Sequence, residues 1–459
     1  MNPIKFGNSF ASIFLVGIVM TFTLLKPGRM NTELSTEALN KSLQHLSGHA
    51  VITPTPTSLP QSVYRYPTTS PQPLPVRIDT ITPLPTPTPT EMPVIPPEAT
   101  SEPEVILAPT QPPPPPPASP PPAAQSASTM YGGYQFADDI NPLTGLPVDN
   151  IEKLYRRPAF IKVSNYPRYG RPHAGLSFAD IVFEYYIGEE ANRFMGVYYS
   201  QDAPKIGPLR SGRLIDPQLV SLYQGILSYG NADPKVEKVI AKLLGNRAIP
   251  FSKSPCPPTC GKDTHSVAGV FVDSAALTKF AEEEMGVEKA KPELFGMYFD
   301  PVPPASDQYA IQVGVEYSFR DRGEWHYDPE SGLYLRWIEA MDNSGKIYMT
   351  PLVDRLTGEQ LRFANVILIF ARYTEYAPTL HDVDIWNNFD GQRAVLFRDG
   401  LMIDASWQVE DHEHPIQFYY EDGTPLPLKP GNSWIVVAGL SSTLDQVEPG
   451  KWEMYFHLP

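Results

Sequence analysis

Beyond about residue 135 the hydrophobic positions fall into short runs and helical stripes. Ala159-Phe160-Ile161-Lys162-Val163, Ile181-Val182-Phe183-Glu184-Tyr185-Tyr186-Ile187 and Phe194-Met195-Gly196-Val197-Tyr198-Tyr199 are rich in β-branched and aromatic residues and predict strands. Asp216-Pro217 predicts a helix start, with Asp as N-cap, Pro at the first helical position, and Leu219, Val220, Leu222 and Tyr223 facing the core. Asp233-Pro234 repeats the device. Val236, Val239, Ile240, Leu243 and Leu244 then recur at helical spacing until Gly245. Ser274 through Met285 predicts a third helix, stopped by Gly286.

After about Pro304 the pattern changes. Turn signals recur at Ser331-Gly332, Asn343-Ser344-Gly345, Asp390-Gly391, Asp399-Gly400, Asp422-Gly423 and Pro430-Gly431. Between them lie runs such as Val366 to Phe370, Ala394 to Phe397 and Trp434 to Val437, and Asp-Gly between such runs signals hairpins. The expected fold is an α/β N-terminal part, residues 135–304, followed by a β-rich C-terminal part of antiparallel hairpins, residues 305–459. No internal repeat of fixed period is present.

The N-terminal third reads differently. Lys5 precedes an apolar run from Phe10 to Leu25, and Lys26 and Arg29 follow it. The run is short for a spanning helix and long for a signal core, and no small-x-small cleavage pattern follows. Residues 1–30 are therefore expected to be an uncleaved signal anchor rather than a removed signal peptide. Of the 53 prolines, nearly half lie between Pro54 and Pro122. Residues 31–134 lack the apolar content to fold and favour a disordered, polyproline II-like stalk. At roughly 3.1 Å per residue, about 80 residues of such a stalk reach on the order of 250 Å at most. The expected location is the cell membrane, with a single-pass anchor and the folded part extracytoplasmic, or secretion if the signal is cleaved.

The net charge of −15 argues against nucleic acid as a partner, because phosphate neutralisation needs clustered Lys and Arg. Two cysteines, Cys256 and Cys260, allow one local disulfide, which fits an oxidising compartment. With Asp263 and His265 nearby, a metal corner is the competing reading, but it lacks a further ligand.

Several pieces resemble a known family. Asn141-Pro142-Leu143-Thr144-Gly145-Leu146 opens the folded part, and Arg157-Pro158 precedes a strand. Arg171-Pro172-His173-Ala174-Gly175-Leu176 leads to Ala179-Asp180-Ile181-Val182-Phe183-Glu184. Asn192-Arg193-Phe194 and Ile206-Gly207-Pro208-Leu209-Arg210-Ser211-Gly212-Arg213 follow. This order resembles the YerB-like bacterial lipoprotein family, a domain of unknown function (DUF3048) with N- and C-terminal parts. A looser match at Gly400 to Trp407 and Leu428 to Val437 extends the resemblance over most of residues 139–456. It implies a bacterial envelope protein and supplies no catalytic mechanism. The chain departs from the lipoprotein form, since no Cys lies near its N-terminus and the apolar run is expected to anchor it instead.

The strongest candidate for chemistry is Arg210-Ser211-Gly212-Arg213, just ahead of the first predicted helix. Two guanidiniums offer forked donors, glycine allows close backbone approach, and the helix start adds free N–H groups. These suit a carboxylate or phosphate, with Arg193 joining if its strand lies near. The alternative is that these arginines form ion pairs with Asp180 and Glu184. The clusters His381 to Asp384 and Asp411 to His414 read as solvated loops rather than metal ligands. No cofactor-binding motif is present and none is expected.

Two functions follow. One is a membrane-tethered module binding an anionic wall polymer or an envelope protein. The other is a hydrolase or transferase acting on cell-wall glycan, with Asp180, Glu184 and His265 as acid-base groups.

Overall fold

The computed structural model describes residues 129–261 and 269–459. The apolar run, the proline-rich stretch and His265 lie outside the described residues. Among the described residues, no helix is long and apolar enough to cross a membrane.

The apolar runs of the first half become β1 (Ala159–Ser164), β2 (Ile181–Gly188) and β3 (Ala191–Tyr198). Glu189 and Glu190, both with positive φ, make the tight turn joining β2 to β3. Helix α1 (Ile215–Leu222) leads to β4 (Ile226–Tyr229), and α2 (Pro234–Leu244) leads to β5 (Ala248–Pro250). A third helix, α3 (Ser274–Glu283), ends two residues short of the predicted Met285.

The α2 signals hold. The Asp233 side chain accepts from the Lys235 amide, Pro234 sits in the first turn, and Val236, Ile240 and Leu244 are buried one turn apart. Asp216, by contrast, is not an N-cap. Helix α1 begins one residue before it, and its carboxylate is drawn inward by a buried lysine.

The second half supplies thirteen strands, twelve of them longer than two residues: β6 (Gln312–Ser318), β7 (Asp321–Asp328), β8 (Leu333–Met341), β9 (Ile347–Pro351), β10 (Asn365–Ala377), β11 (Leu380–Asp384), β12 (Gln392–Arg398), β13 (Leu401–Gln408), β14 (Gln417–Tyr419), β15 (Ser433–Gly439), β16 (Thr443–Glu448) and β17 (Lys451–Tyr455). Asp399 and Gly400, both at positive φ, form the predicted turn between β12 and β13.

An 11-stranded sheet runs β14-β13-β12-β10-β15-β2-β3-β1-β4-β5, with β11 paired to β10. Its centre joins the two halves of the chain. β15 lies between β10 and β2 and is parallel to both. A 7-stranded sheet runs β9-β8-β7-β6-β17-β16, with residues 362–363 also paired to β8. The protein is thus mostly β-sheet with few helices. The expected β-rich second half with antiparallel hairpins is present, as in β6-β7-β8-β9 and β12-β13, but the two parts are not separate: β15 and β10 pair in parallel inside a sheet shared with the first half.

β1 and β15 are buried along their whole length. A sheet covered on both faces needs apolar residues at consecutive positions, which is why these runs show little alternation. On one face Phe183 and Phe160 pack against Tyr223 at the end of α1, with ring centroids 5.8 Å apart in each case. On the other face Trp434 packs on Phe194 (4.9 Å) and on Trp325 of β7 (5.7 Å), joining the two sheets.

Candidate anion-binding site

Side-chain alternation along β2 and β3 decides which charges meet. Tyr185 is paired with Arg193, and Glu184 with Phe194. Successive residues of a strand point to opposite faces. Arg193 therefore shares the helix-covered face with Tyr185 and with Lys162 of β1, whereas Glu184 faces the second sheet.

The segment 206–213 runs along the edge of β1, beyond the point where β4 stops pairing with it. Leu209 bridges to Val163, and the Arg210 amide donates to the Lys162 carbonyl at 3.2 Å. This docking brings Arg210, Ser211 and Arg213 over Arg193, whose Nη1 donates to the Ser211 carbonyl at 3.1 Å. Arg193 is 5 % exposed; Arg210, Ser211 and Arg213 are half-buried. Burial and mutual repulsion lower the pKa of Arg193, with Arg213 and Arg210 as the repelling neighbours. Burial likewise lowers those of Arg210 and Arg213.

Beneath them Lys162 is fully buried and donates to Asp216 at 3.0 Å, and both also contact the Tyr185 hydroxyl. Burial drives the Lys162 pKa down to about 7 against the pull of Asp216, and Arg193 pushes it further down. Asp216 receives the Arg213 amide on its other oxygen at 2.8 Å. This carboxylate is therefore already committed to three donors.

Among the described residues, Arg193, Arg210 and Arg213 form no ion pair with any carboxylate. The Nε atoms of Arg210 and Arg213 are buried without a hydrogen-bond partner. Unpaired buried guanidinium nitrogens are costly unless something satisfies them. The arrangement fits an oxyanion, which accepts forked N–H donors from more than one side.

The ion pairs weighed as an alternative do not form. Glu184 is fully buried and accepts from Asn192 Nδ2 (2.6 Å), Trp434 Nε1 (2.7 Å) and Arg336 Nη2 (3.1 Å). Burial raises its pKa, and Arg336 opposes that rise. The Arg336 guanidinium packs against both the Trp325 and Trp434 rings, 4.0 and 4.9 Å from their centroids. Asp180 accepts from Asn141 Nδ2 (2.9 Å), the amides of Tyr199 (2.7 Å) and Ser200 (3.1 Å), and Ser200 Oγ. It lines a separate cleft of about 840 Å³ with Asp202, Lys153 and Arg362.

Two further expectations meet the geometry differently. Gly212 does not lend its amide to a ligand: the N–H donates to the Asn231 carbonyl at 2.8 Å. Its missing Cβ makes room for the core, since a Cβ there would sit 2.7 Å from Ile240 Cδ1. Ser211 Oγ donates to Asn231 Oδ1 at 2.9 Å. Cys256 and Cys260 form a disulfide, with Cα atoms 4.7 Å apart. Of the two segments read as solvated loops, His381 to Asp384 instead belongs to strand β11, where pairing with β10 buries His381 against Glu375; Asp411 to His414 is a loop, and there His414 meets Asp411. No group of three or more metal-ligating side chains converges among the described residues.

Sequence reasoning missed Lys162, Tyr185 and Arg336. The signal for Lys162 was present, as a lone cation inside an otherwise apolar strand run. Nothing local marked Arg336, because its partner Glu184 is 152 positions away.

Residues 143–256 match the family described as "Protein of unknown function (DUF3048) N-terminal domain", and residues 313–435 match "Protein of unknown function (DUF3048) C-terminal domain". A Bacillus subtilis (strain 168) protein named "Putative lipoprotein YerB" is 28% identical over 302 residues, which is 64% of this chain and 84% of that protein. The crystal structure of YerB protein from Bacillus subtilis shares the fold, with a TM-score of 0.54 and 24% identity over 65% of this chain and 96% of that one. With both family regions matched in order and the fold shared, the chain belongs to the YerB-like family of DUF3048 proteins.

Proposed function

We propose that this protein is a cell-envelope module that binds an anionic wall polymer, or an acidic envelope protein, through Arg193, Arg210 and Arg213. One observation carries the reading: among the described residues three neighbouring guanidiniums lack carboxylate partners, and the carboxylate beneath them is spent on Lys162 and Tyr185. The relative named as a lipoprotein supports envelope association. In this chain both cysteines are joined to each other, so the apolar run Phe10 to Leu25 takes the place of a lipidated cysteine as the anchor. The expected stalk ends earlier than residue 134, since Tyr131–Gly132 already pairs with Tyr298–Phe299 in the folded part, and the proline-rich residues before it serve as the stalk.

The reading as a glycan hydrolase or transferase has less support. Its proposed acids, Asp180 and Glu184, are each saturated by donors, and a carboxylate held by several hydrogen bonds is a poor proton shuttle.

The test is cosedimentation of the detergent-solubilised full chain with peptidoglycan, with and without its covalently attached anionic polymers. Mass spectrometry of the supernatant reads any released product. Pelleting that depends on the anionic polymer, falls with salt and is lost in Arg210→Ala/Arg213→Ala is the expected result. Pelleting unchanged in that variant, or new products in the supernatant, overturns it.

A further inference from the structure

A second basic pocket lies at the other end of β1. We infer that Arg157 and Arg247 form an oxyanion-binding subsite, sized for a carboxylate or phosphate carried on a group of about one sugar ring. Arg157 precedes β1, and Arg247 follows α2 by three residues. They line one pocket of about 390 Å³, walled by Leu243, Trp386 and His412. That volume lies at the lower end of small-ligand sites.

Each arginine spends one nitrogen on the turn after α1. Arg157 Nη1 donates to the Gln224 carbonyl at 2.9 Å, and Arg247 Nη1 donates to the Gly225 carbonyl at 3.0 Å. These bonds fix both guanidiniums against the turn. Among the described residues neither forms an ion pair, and Arg157 Nε is buried with no partner. The two repel each other: burial first, then Arg157, lowers the pKa of Arg247. Two like charges held together in a concave site are stabilised by an anion between them.

The opposite wall is rigid. Trp386 Nε1 donates to the Gln218 carbonyl at 3.0 Å, and the His412 ring stacks on the indole at 4.5 Å and 13°. Gln224 Nε2 ties the loop down through the Glu413 carbonyl at 3.0 Å. Glu413 also lines the pocket, and its carboxylate opposes the lowering of the Arg247 pKa. It forms no ion pair there, so it weakens an incoming anion without filling the site.

Trp386 provides the readout. The detergent-solubilised full chain is titrated with inorganic phosphate, glucose 1-phosphate and glucuronate, following tryptophan fluorescence and isothermal heats. Phosphate esters and the uronate separate the two anion sources; unmodified glucose is the neutral control. We expect Arg247→Ala to weaken binding by at least about tenfold, the worth of a charge-assisted hydrogen bond. Arg247→Lys, which keeps the charge and loses the fork, should recover part of that. Glu413→Gln keeps the backbone contact and should tighten binding about two- to fivefold by removing a repelling charge. Arg210→Ala/Arg213→Ala should leave this binding intact. Loss of binding in that double variant alone would move the anion to the other cluster and overturn the assignment. So would saturation by none of the three anions at millimolar concentration, or no gain in Glu413→Gln.

Discussion

Arg193 and Glu184 stand one register step apart on paired strands and never meet, because their side chains leave opposite faces of the same sheet. The face toward the second sheet closes its charges: Glu184 with Arg336, and Glu339 with Arg168 and Arg171. The face toward the helices pairs Lys162 with Asp216 but, among the described residues, leaves three arginines without a carboxylate. One sheet thus divides a layer of buried ion pairs from a layer of arginines without carboxylate partners.

That division predicts opposite behaviour from two carboxylate and arginine changes. Glu184→Gln leaves Arg336 buried against two indoles without that counter-charge. Removing one member of a buried pair costs about 3–5 kcal/mol. Denaturant unfolding should show this loss, while polymer binding per folded molecule stays unchanged. A variant of normal stability that fails to bind would put Glu184 in the functional site.

Arg210→Ala should do the reverse. It removes a cation whose Nε has no partner and which lowers the pKa of Arg193. Residues kept for binding often cost stability. The variant should lose polymer binding and be unchanged or more stable by about 0.5 kcal/mol. Salt should narrow any stability gain, since screening relieves the same repulsion. A clear destabilisation would mean that the arginine has a structural partner.

Part of this was legible from the sequence. The β1, β2 and β3 runs, α2 with its Asp233-Pro234 start and Gly245 stop, and the Arg210 to Arg213 cluster all rest on local signals. The sheet topology does not, because β15 joins β2 across 245 or more positions and no local pattern encodes a parallel partner. For the same reason Asp180 and Glu184 were read beside the arginines. Strand period alone sets Glu184 and Tyr185 on opposite faces. The neighbour of Tyr185, however, is known only once the β2–β3 register is fixed by the Glu189-Glu190 turn. Asp216 was misread because its side chain caps no helix; it meets Lys162, 54 positions earlier.

Gly212 offers a sharper test of the arginine loop's packing. A Cβ at this position would lie 2.7 Å from Ile240 Cδ1 and 3.2 Å from Tyr229 Cδ2. Gly212→Ala should therefore cost about 1–3 kcal/mol by overpacking. Ile240→Val removes the offending methyl and should cost about 0.5–1.5 kcal/mol alone. Combined, the two should be less damaging than their sum, with a coupling of roughly 1 kcal/mol. Strict additivity would show that the cost of alanine lies in the backbone rather than against α2.

Acid should act through His173. The ring is fully buried, its Nε2 lies 2.8 Å from the Ser164 carbonyl, and its Nδ1 has no partner. Burial first, then Arg171, holds its pKa down to about 3, with Arg336 and Arg355 adding to the effect. The folded state thus keeps the ring neutral where the unfolded chain binds a proton. Its contribution to stability is complete above pH 6.5, the ordinary value, and is lost as pH falls toward 3. The loss is at most about 1.4 kcal/mol per pH unit. Asp321 runs the other way. Burial raises its pKa to about 7, so its contribution is complete below its ordinary 3.8 and is lost as pH rises toward 7. The two slopes offset each other in the unmodified protein, and substitution separates them. His173→Gln retains a donor for Ser164 and should be less stable at pH 7, with the gap to the unmodified protein closing between pH 6.5 and 4. Asp321→Asn should gain on the unmodified protein as pH rises through that window. Urea midpoints at four pH values decide it: parallel curves for all three proteins would show that neither group titrates out of step with the unfolded chain.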